Sequence, residues 1–386
     1  MLSSIDATMT HKLAHRSALG CRRALSCSVD LIDFASNDYL GLARNRWLQQ
    51  QIINAWQELA APLLGATGSR LLTGNSALTE EVEATIASYH GAEAGVIFNS
   101  GYTANLGLIS AVVEAESVCL YDADIHASVH AGLRLCGARR FPWRHNDLNH
   151  LESRLIAHRH YSKIFVFAET IYSCDGSKAP IKELCDLCQR YGAHLIIDEA
   201  HATGIVGAFG QGGIVEEGCQ EAVFARLHTF SKALGVQGAI VLGSRLLKDY
   251  LVNFSRPLIY TTALPQPILL AIREAYRLLP TLMTARSDLQ ELIHNFKTHA
   301  VATGLSILPS ETPIQALLIP GNAHARAVAQ YMATNHFDAR VLLSPTVRKG
   351  TERLRLCLHA FNTHAEMAEL LRVLTAALQE RRPCAI

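Results

Sequence analysis

The stretch LIIDEAHATG, residues 195–204, is an apolar run that ends in Asp198 and Glu199, with His201 and Gly204 close behind. An Asp-Glu-Ala-His run can hold Mg²⁺ in a nucleic-acid-dependent ATPase. An acid at the carboxyl end of a parallel strand can equally face a bound cofactor. The two interpretations make different demands on the rest of the chain.

An ATPase of that class needs a glycine-rich phosphate loop ending in Gly-Lys-Ser or Gly-Lys-Thr. No lysine in the sequence follows a glycine, and the formal net charge of +1 gives no basic excess for a nucleic acid. No window approaches the roughly 18 apolar residues that a membrane span needs. We therefore expect a protein that binds neither nucleic acid nor membranes.

The 10 cysteines are scattered, and Cys185 and Cys188 form a close pair without a second pair or histidines at zinc-ligand spacing. We expect reduced structural thiols, no metal ion and a cytoplasmic location. Residues 1–29 hold Asp6 as their single acid, which is compatible with an organelle transit peptide. A plain amphipathic helix is the preferred interpretation.

Short apolar runs alternate with helix-length segments from residue 95 onwards. These runs are VIFNS, VCLYD, KIFVFAE, HLIIDE, RLHTF and AIVLG. Strands buried on both faces read as continuous apolar runs, so the pattern predicts a large, doubly wound, mostly parallel α/β domain. The later runs LSILP, IQALLIP, ARVLLS and RLRLCLHA lie close together between helices, which predicts a small α+β domain. The expected division is an N-terminal helix and arm over 1–40, the large domain over 41–284 and the small domain over 285–386.

The segment HTFSKALG places Lys232 directly after the run RLHTF, with Thr229 and Ser231 beside it. A lysine there can form a Schiff base with an aldehyde, and the hydroxyls can bind a phosphate. Asp198 can keep a pyridine nitrogen protonated, as pyridoxal phosphate chemistry requires, and His201 can reach the ring hydroxyl. Taken singly, Lys232 could also be a solvated surface residue and Asp198 a structural acid.

Two further segments fit the same cofactor. FNSGYTANLG places Gly101 and Tyr102 at the start of a helix, where backbone N–H groups favour phosphate, although a generic turn gives the same letters. YDADIHASVHAG places His126 after a strand, where an imidazole can stack on a pyridine ring. His130 has the spacing of a zinc partner, but no acid lies between the two histidines, which favours the cofactor interpretation.

Eight segments in order resemble the α-oxoamine synthases, fold-type-I pyridoxal-phosphate enzymes that condense an amino acid with an acyl thioester. They are FASNDYLGL, GATGSRLLTGN, FNSGYTANLG, DADIHAS, ETIYSCDGS, IIDEAHATGIVGAFGQGG, HTFSK and PTVRKGTERLRL. Each segment is weak evidence alone, but the ordered set is specific and spans about residues 12–381. The resemblance implies a fold-type-I transferase with pyridoxal 5'-phosphate as its cofactor.

The resemblance also implies roles for individual residues. Lys232 would carry the cofactor and move the α-proton, Asp198 would hold the ring nitrogen, and His126 would stack on the ring; these three form the implied catalytic set. The cofactor-binding set is Gly101, Tyr102, His126, Ser173, Asp198, His201, Thr229, Ser231, Lys232 and Thr262, the last contributed by a partner subunit. The substrate-binding set is Arg23, Asn37, Thr346 and Arg355, with Arg22 as the alternative to Arg23.

Within the family, SNDYLGL, DEAHATG and PTV with RLRLCLHAFNT are most similar to the biotin-pathway branch. That branch implies L-alanine and a pimeloyl thioester, on CoA or an acyl carrier protein, as substrates, and a homodimer with a shared active site. A sister acyltransferase using glycine is the close alternative, and a non-catalytic homologue is the distant one. Leu343 stands where many members of the branch carry arginine, and Arg348 where proline is usual. These departures predict altered recognition of the far carboxylate of the acyl chain.

Overall fold

The computed structural model describes residues 3–25, 27 and 30–380. Its strands are β1 Ile32–Asp33, β2 Ala94–Phe98, β3 Val118–Asp122, β4 Arg139–Trp143, β5 Ile164–Glu169, β6 His194–Asp198, β7 Ala225–Thr229, β8 Ala239–Gly243, β9 Ile314–Leu318, β10 Phe337–Asp338, β11 Arg340–Leu342 and β12 Arg353–Cys357. Its helices are α1 Ser4–Ala18, α2 Arg46–Gln57, α3 Ala77–Tyr89, α4 Gly101–Val112, α5 Ala127–Leu135, α6 Leu148–His158, α7 Ile181–Arg190, α8 Gly213–Glu216, α9 Arg245–Phe254, α10 Arg256–Ile259, α11 Gln266–Leu278, α12 Met283–Ala302, α13 Asn322–Thr334 and α14 His364–Glu380.

The chain divides into two compact units. The larger comprises Asn37–Ser173 and Ser177–Ser287, and the smaller comprises Met1–Ser36, Cys174–Gly176 and Asp288–Ile386. The N-terminal residues thus group with the C-terminal ones, whereas the sequence prediction treated 1–40 as a separate arm. The reason is backbone pairing within the smaller unit, because β1 lies parallel to β10 with Ile32 opposite Phe337.

The larger unit is built on one sheet with the strand order β2-β8-β7-β6-β5-β3-β4. The neighbours from β7 to β4 are all parallel, and β8 runs antiparallel to both β7 and β2. Because β8 is the single reversed strand, β2 points in the same direction as β7. The sheet is therefore mostly parallel, which confirms the predicted α/β class.

Helices cover both faces of this sheet. One apolar cluster joins Leu108 of α4 and Leu251 of α9 to one face, and another joins Leu151 of α6 and Leu184 of α7 to the opposite face. Every residue of β5 is buried. This double coverage explains why the central strands are continuous apolar runs rather than alternating ones.

Strand β4 was not predicted from the sequence. Its letters are RRFPW, and its two arginines and Pro142 are exposed. The strand lies at the edge of the sheet and, among the described strands, pairs with β3 alone, so its outer side has no hydrogen-bond partner within the sheet. Proline and charged residues are tolerated at such an edge, and because of them the segment contains no apolar run by which it could be predicted as a strand.

The smaller unit contains a three-stranded antiparallel sheet of order β11-β12-β9. Helices α13 and α14 accompany it, and their buried residues include Val328 and Leu374. The predicted run LSILP forms only a single bridge, between Ile307 and Leu317, instead of a strand. Among the described helices of the whole chain, none combines the length and apolarity needed to cross a membrane.

Candidate active site

The carboxyl ends of five strands of the larger unit surround one cleft. β2 leads into the start of α4, β3 leads to His126, β5 ends in Glu169, β6 ends in Asp198 and β7 ends in Thr229. The cleft has a volume of about 210 Å³. Its lining residues are Ser100, Gly101, Tyr102, Asn105, His126, Ser128, Glu169, Asp198, Ala200, His201, Leu227, Thr229, Ser231 and Lys232. Ligands are expected at this edge of a parallel sheet.

Eight of the residues that the sequence proposed for cofactor binding line this cleft. They are Gly101, Tyr102, His126, Asp198, His201, Thr229, Ser231 and Lys232. Two others, Ser173 and Thr262, are not among the described residues that line it. Ser173 is half-buried, and Thr262 is exposed and forms an isolated antiparallel bridge with Ser69. The assignments of Ser173 and Thr262 stay predictions.

Asp198 is held in a fixed orientation at the end of β6. Its Oδ1 accepts a hydrogen bond from the backbone N–H of Ala200 at 2.9 Å, and its Oδ2 accepts one from the side-chain amide of Asn105 at 2.8 Å. The residue is only 7% exposed. A buried carboxylate with both oxygens supported in this way is suited to holding a proton on a ring nitrogen.

Lys232 lies in a tight loop between β7 and β8. The loop is closed by hydrogen bonds from Gly235 N to Lys232 O at 2.9 Å and from Val236 N to Phe230 O at 2.8 Å. Gly235 has φ +66, and a Cβ on it would lie 2.6 Å from the Cα of Ala43. The lysine is therefore presented by a backbone that is packed against its neighbours and that requires glycine at one position.

Gly235→Ala should destabilise the protein by about 3 kcal/mol or more, because backbone strain and overlap with Ala43 add together. Gly192→Ala is the matched control, since Gly192 has φ +63 and no heavy atom within 4 Å of the added Cβ. The control should lose only about 1 kcal/mol from the left-handed conformation. Urea unfolding of both variants measures the difference. Equal losses would show that the contact with Ala43 does not constrain the loop.

The start of α4 supplies donors suited to a phosphate. Ser100 caps the helix by accepting from Thr103 N at 3.2 Å, which leaves the first N–H groups, on Gly101 and Tyr102, without partners inside the helix. Across the cleft the hydroxyls of Thr229 and Ser231 lie 3.2 Å apart. Gly101 lies close to these hydroxyls, because a Cβ on it would be in van der Waals contact with Thr229 Oγ1 at 3.5 Å.

His126 caps α5, and its ring is partly open to the cleft. Burial by the cleft walls lowers its pKa, Lys232 contributes to the lowering, and the Asp198 carboxylate opposes it. The backbone N–H of His126 donates to Glu169 Oε1 at 2.5 Å. Burial raises the pKa of Glu169 well above its ordinary value, and the neighbouring Asp198 adds to the rise. Both pKa shifts favour the uncharged forms of these side chains, the imidazole of His126 and the carboxyl group of Glu169.

The sequence prediction missed Glu169, Asn105 and Ser128 as cleft residues. Glu169 carried the same signal as Asp198, an acid at the end of a buried apolar run, and faces it in the register of β5 and β6. Asn105 lies in the interior of α4 and Ser128 in the first turn of α5. No local pattern marks these two, because their position depends on how the helices pack.

Asn37 is connected to the cleft through a buried tyrosine. Tyr39, which is fully buried, donates its hydroxyl to Asn37 Oδ1 at 3.2 Å and lies 2.7 Å from Nδ1 of His201. The segment SNDYLGL therefore contributes a hydrogen-bond partner, Tyr39, to His201. Tyr39 belongs to a segment quoted for the family resemblance but was not singled out in the prediction.

The other predicted substrate residues belong to the smaller unit. Arg23 Nη2 donates to Thr346 Oγ1 at 3.1 Å, so two residues predicted for one role are in direct contact. Arg326 fixes the turn before them, with its guanidinium donating to the carbonyls of Gly20 and Arg22 at 2.6 and 2.8 Å. Arg355 lies half-buried on β12, opposite Ala316 of β9. The side chain of Arg23, rather than that of Arg22, therefore contacts Thr346.

A comparison with protein families decides the relationship of this chain. The family aminotransferase class I and II matches residues 29–374. The chain belongs to this family. The match includes every strand of the described residues, from β1 to β12.

Comparison with individual proteins shows which enzymes this chain is similar to in sequence and in structure. The chain is 37% identical to an 8-amino-7-oxononanoate synthase of Emericella nidulans, over 96% of this chain and 95% of that protein. The solved structure of 8-amino-7-oxononanoate synthase from Francisella tularensis has a TM-score of 0.78 and 26% identity, covering 91% of this chain and 98% of that one. A serine palmitoyltransferase from S. paucimobilis with bound PLP and myriocin has a TM-score of 0.88 at 24% identity, covering 98% and 99%. It shares the fold. The resemblance to the α-oxoamine synthases is confirmed.

Proposed function

We propose that this chain catalyses the decarboxylative condensation of L-alanine with a pimeloyl thioester. The products are 8-amino-7-oxononanoate, CO₂ and the free thiol carrier, which is a step of biotin biosynthesis. The observation that carries the proposal is that Lys232 and the buried Asp198 line one cleft together with a helix N-terminus. The names of the relatives from Emericella nidulans and Francisella tularensis supply the reaction.

The donor set of the cleft fits pyridoxal 5'-phosphate. The cofactor has three polar features, an aldehyde, a ring nitrogen and a phosphate, and the cleft offers an amine, a buried carboxylate and a helix start with two hydroxyls. When bound, the cofactor supplies an electron sink that stabilises negative charge on the α-carbon of an amino acid. The donor groups of the cleft and the family of the chain therefore support the same cofactor, pyridoxal 5'-phosphate.

The residues of the chain take distinct parts in this chemistry. Lys232 Nζ would hold the aldehyde carbon of the cofactor, and the same amine would move the proton at the substrate α-carbon. Asp198 would keep the ring nitrogen protonated, and His126 would contact the ring. Gly101 and Tyr102 bind the phosphate through their N–H groups.

Four residues are proposed for substrate recognition. Arg355 binds the amino-acid carboxylate, for which a planar guanidinium with two parallel donors is better suited than lysine. Arg23, Asn37 and Thr346 contact the acyl chain and the product. Ser173 and His201 bind the ring hydroxyl of the cofactor.

A homodimer with a shared active site is part of the proposal, and Thr262 of one subunit would contact the phosphate in the other. Support comes from the surface around the bridge between Thr262 and Ser69, where Leu72 and Tyr260 are 81% and 76% exposed. Exposed apolar side chains in neighbouring segments are typical of surfaces that a partner covers. Sedimentation equilibrium should give twice the mass of the chain.

The function is tested by measuring free thiol released from pimeloyl-CoA and from acetyl-CoA, each with L-alanine and with glycine. Pimeloyl-CoA with alanine should give the highest kcat/KM. If acetyl-CoA with glycine is preferred, the enzyme is a glycine C-acetyltransferase, and the cleft chemistry stands while the substrates change. An acyl carrier protein loaded with pimelate, compared with CoA, identifies the natural carrier.

Leu343 predicts weak selection for the free acid at the far end of the acyl chain. A buried arginine on a carboxylate contributes roughly 1.5 to 3 kcal/mol, which is tenfold or more in binding. The apolar part of the chain still contributes roughly 0.8 kcal/mol for each buried methylene. The wild-type protein should therefore discriminate little between pimeloyl-CoA and its ω-methyl ester. Leu343→Arg should raise the preference for the free acid by about tenfold in kcat/KM, and an unchanged ratio would place Leu343 away from the acyl terminus.

A further inference from the structure

Two side chains, those of Asn105 and Ser128, connect Asp198 to His126 in the wall of the cleft. Asn105 of α4 donates from Nδ2 to Asp198 Oδ2 at 2.8 Å and to Ser128 Oγ at 2.9 Å. Ser128 Oγ lies 2.8 Å from Nδ1 of His126. Asn105 and Ser128 are 2% and 0% exposed. The connection is thus a buried chain of hydrogen bonds across α4, α5 and β6.

The direction of each hydrogen bond follows from the chemistry of the groups. An ionised carboxylate only accepts, so the Asn105 amide nitrogen faces Asp198 and uses one of its two protons there. Its second proton goes to Ser128 Oγ. The hydroxyl of Ser128 carries a single proton, and with its oxygen accepting from Asn105 that proton is directed to His126 Nδ1.

A second contact independently indicates that Nδ1 of His126 is unprotonated. The backbone N–H of Ser128 donates to His126 Nδ1 at 3.3 Å, which is the N-cap interaction of α5. Two donors therefore converge on Nδ1, which must carry a lone pair. Among the described residues, none forms a hydrogen bond with Nε2 of His126, whose ring lines the cleft.

We propose that Asn105 and Ser128 are positioning residues that hold His126 as the tautomer with its proton on Nε2. His126 then presents an N–H donor to the cleft and not a lone pair. The imidazole can donate a hydrogen bond to a substrate oxygen that gains negative charge, whereas removal of the α-proton is left to Lys232. The role toward substrate rests on the proposed function, but the tautomer does not, because the chain's own groups determine it.

The tautomer is read directly from ¹⁵N chemical shifts of histidine ring nitrogens in the cofactor-free protein. His126→Gln identifies the signals of His126 among those of the other histidines. The wild-type protein should show a protonated Nε2 and an unprotonated, hydrogen-bonded Nδ1. A protonated Nδ1 in the wild-type protein would overturn the proposal, whatever the enzyme's substrates prove to be.

The effect on catalysis is measured with Ser128→Ala and Asn105→Ala in the loaded enzyme. Each should shift the His126 signals toward a mixture of tautomers and lower kcat about tenfold with little change in KM. Ser110→Ala is the matched control, because that hydroxyl donates to the carbonyl of Leu106 on α4 at 2.6 Å and has no other hydrogen-bond partner among the described residues. Ser128→Thr, which keeps the hydroxyl, should restore the Nε2–H signal.

Thermal unfolding of each variant shows whether a change in kcat comes from loss of the fold or from altered positioning of the His126 ring. If Ser128→Ala unfolds, Asn105→Ala tests the same chain of hydrogen bonds from its other end. If the ¹⁵N chemical shifts of His126 were unchanged in a folded Ser128→Ala protein, the proposed positioning role of Ser128 would be contradicted. If the wild-type protein released no free thiol but showed a protonated Nε2 on His126, the proposed function would be contradicted and the proposed tautomer would stand.

Discussion

Lys232→Ala should abolish condensation, with kcat falling by about a thousandfold or more. The side chain is assigned two tasks, holding the aldehyde carbon and moving the α-proton, and proton transfer alone accounts for about 10²- to 10⁴-fold. Lys232 lies in a loop held by backbone hydrogen bonds, so removal of its side chain should leave the fold in place. Free-thiol release with pimeloyl-CoA and alanine measures the loss.

Lys178→Ala is the matched control for this variant. Lys178 is exposed and lies outside the residues that line the cleft, so its loss should leave kcat within about twofold. Hydride reduction of the loaded wild-type protein, followed by peptide mass mapping, should place the pyridoxyl group on Lys232. An adduct on Lys178 or Lys248 would contradict the assignment.

Asp198→Asn should lower kcat by about 10²- to 10³-fold, the usual cost of removing one preorganised electrostatic contact. Asparagine keeps the size of the side chain but removes the negative charge that holds a proton on the ring nitrogen. The absorbance spectrum of the loaded variant, with and without alanine, should differ from that of the wild-type protein even where cofactor binding persists.

A second variant separates the charge of Asp198 from its hydrogen bond with Asn105. Asn105→Ala retains the charge and removes the contact to Asp198 Oδ2. It should lose about tenfold in kcat, well short of the loss in Asp198→Asn. If Asp198→Asn retained activity within tenfold of the wild-type protein, the charge would not be required.

The sequence predicted most of the large sheet and of the cofactor cleft because both leave local signals. β3 and β8 match the runs VCLYD and AIVLG residue for residue. Functional residues at the ends of strands are also readable in this way, since a polar group after a buried apolar run stands out. Lys232, Asp198 and His126 were all located by that rule.

What the sequence did not predict depends on contacts between distant segments. The pairing of β1 with β10 joins residues about 300 positions apart, and no pattern in either segment announces it. Asn105 is one polar residue inside an apolar helix, and only the packing of α4 beside β6 brings it to Asp198. Edge strand β4 was missed because solvent exposure removes the apolar run by which buried strands are recognised.

The fate of the alanine carboxyl carbon tests the proposed reaction most directly. With L-alanine labelled at C1 with ¹³C and pimeloyl-CoA, the enzyme should release ¹³CO₂ and free CoA in equal amounts and form an unlabelled amino-ketone product. Mass spectrometry of the gas and of the product measures both. Retention of the label in the product, or formation of labelled pyruvate without release of CoA, would contradict the proposal that this chain is a decarboxylating acyltransferase.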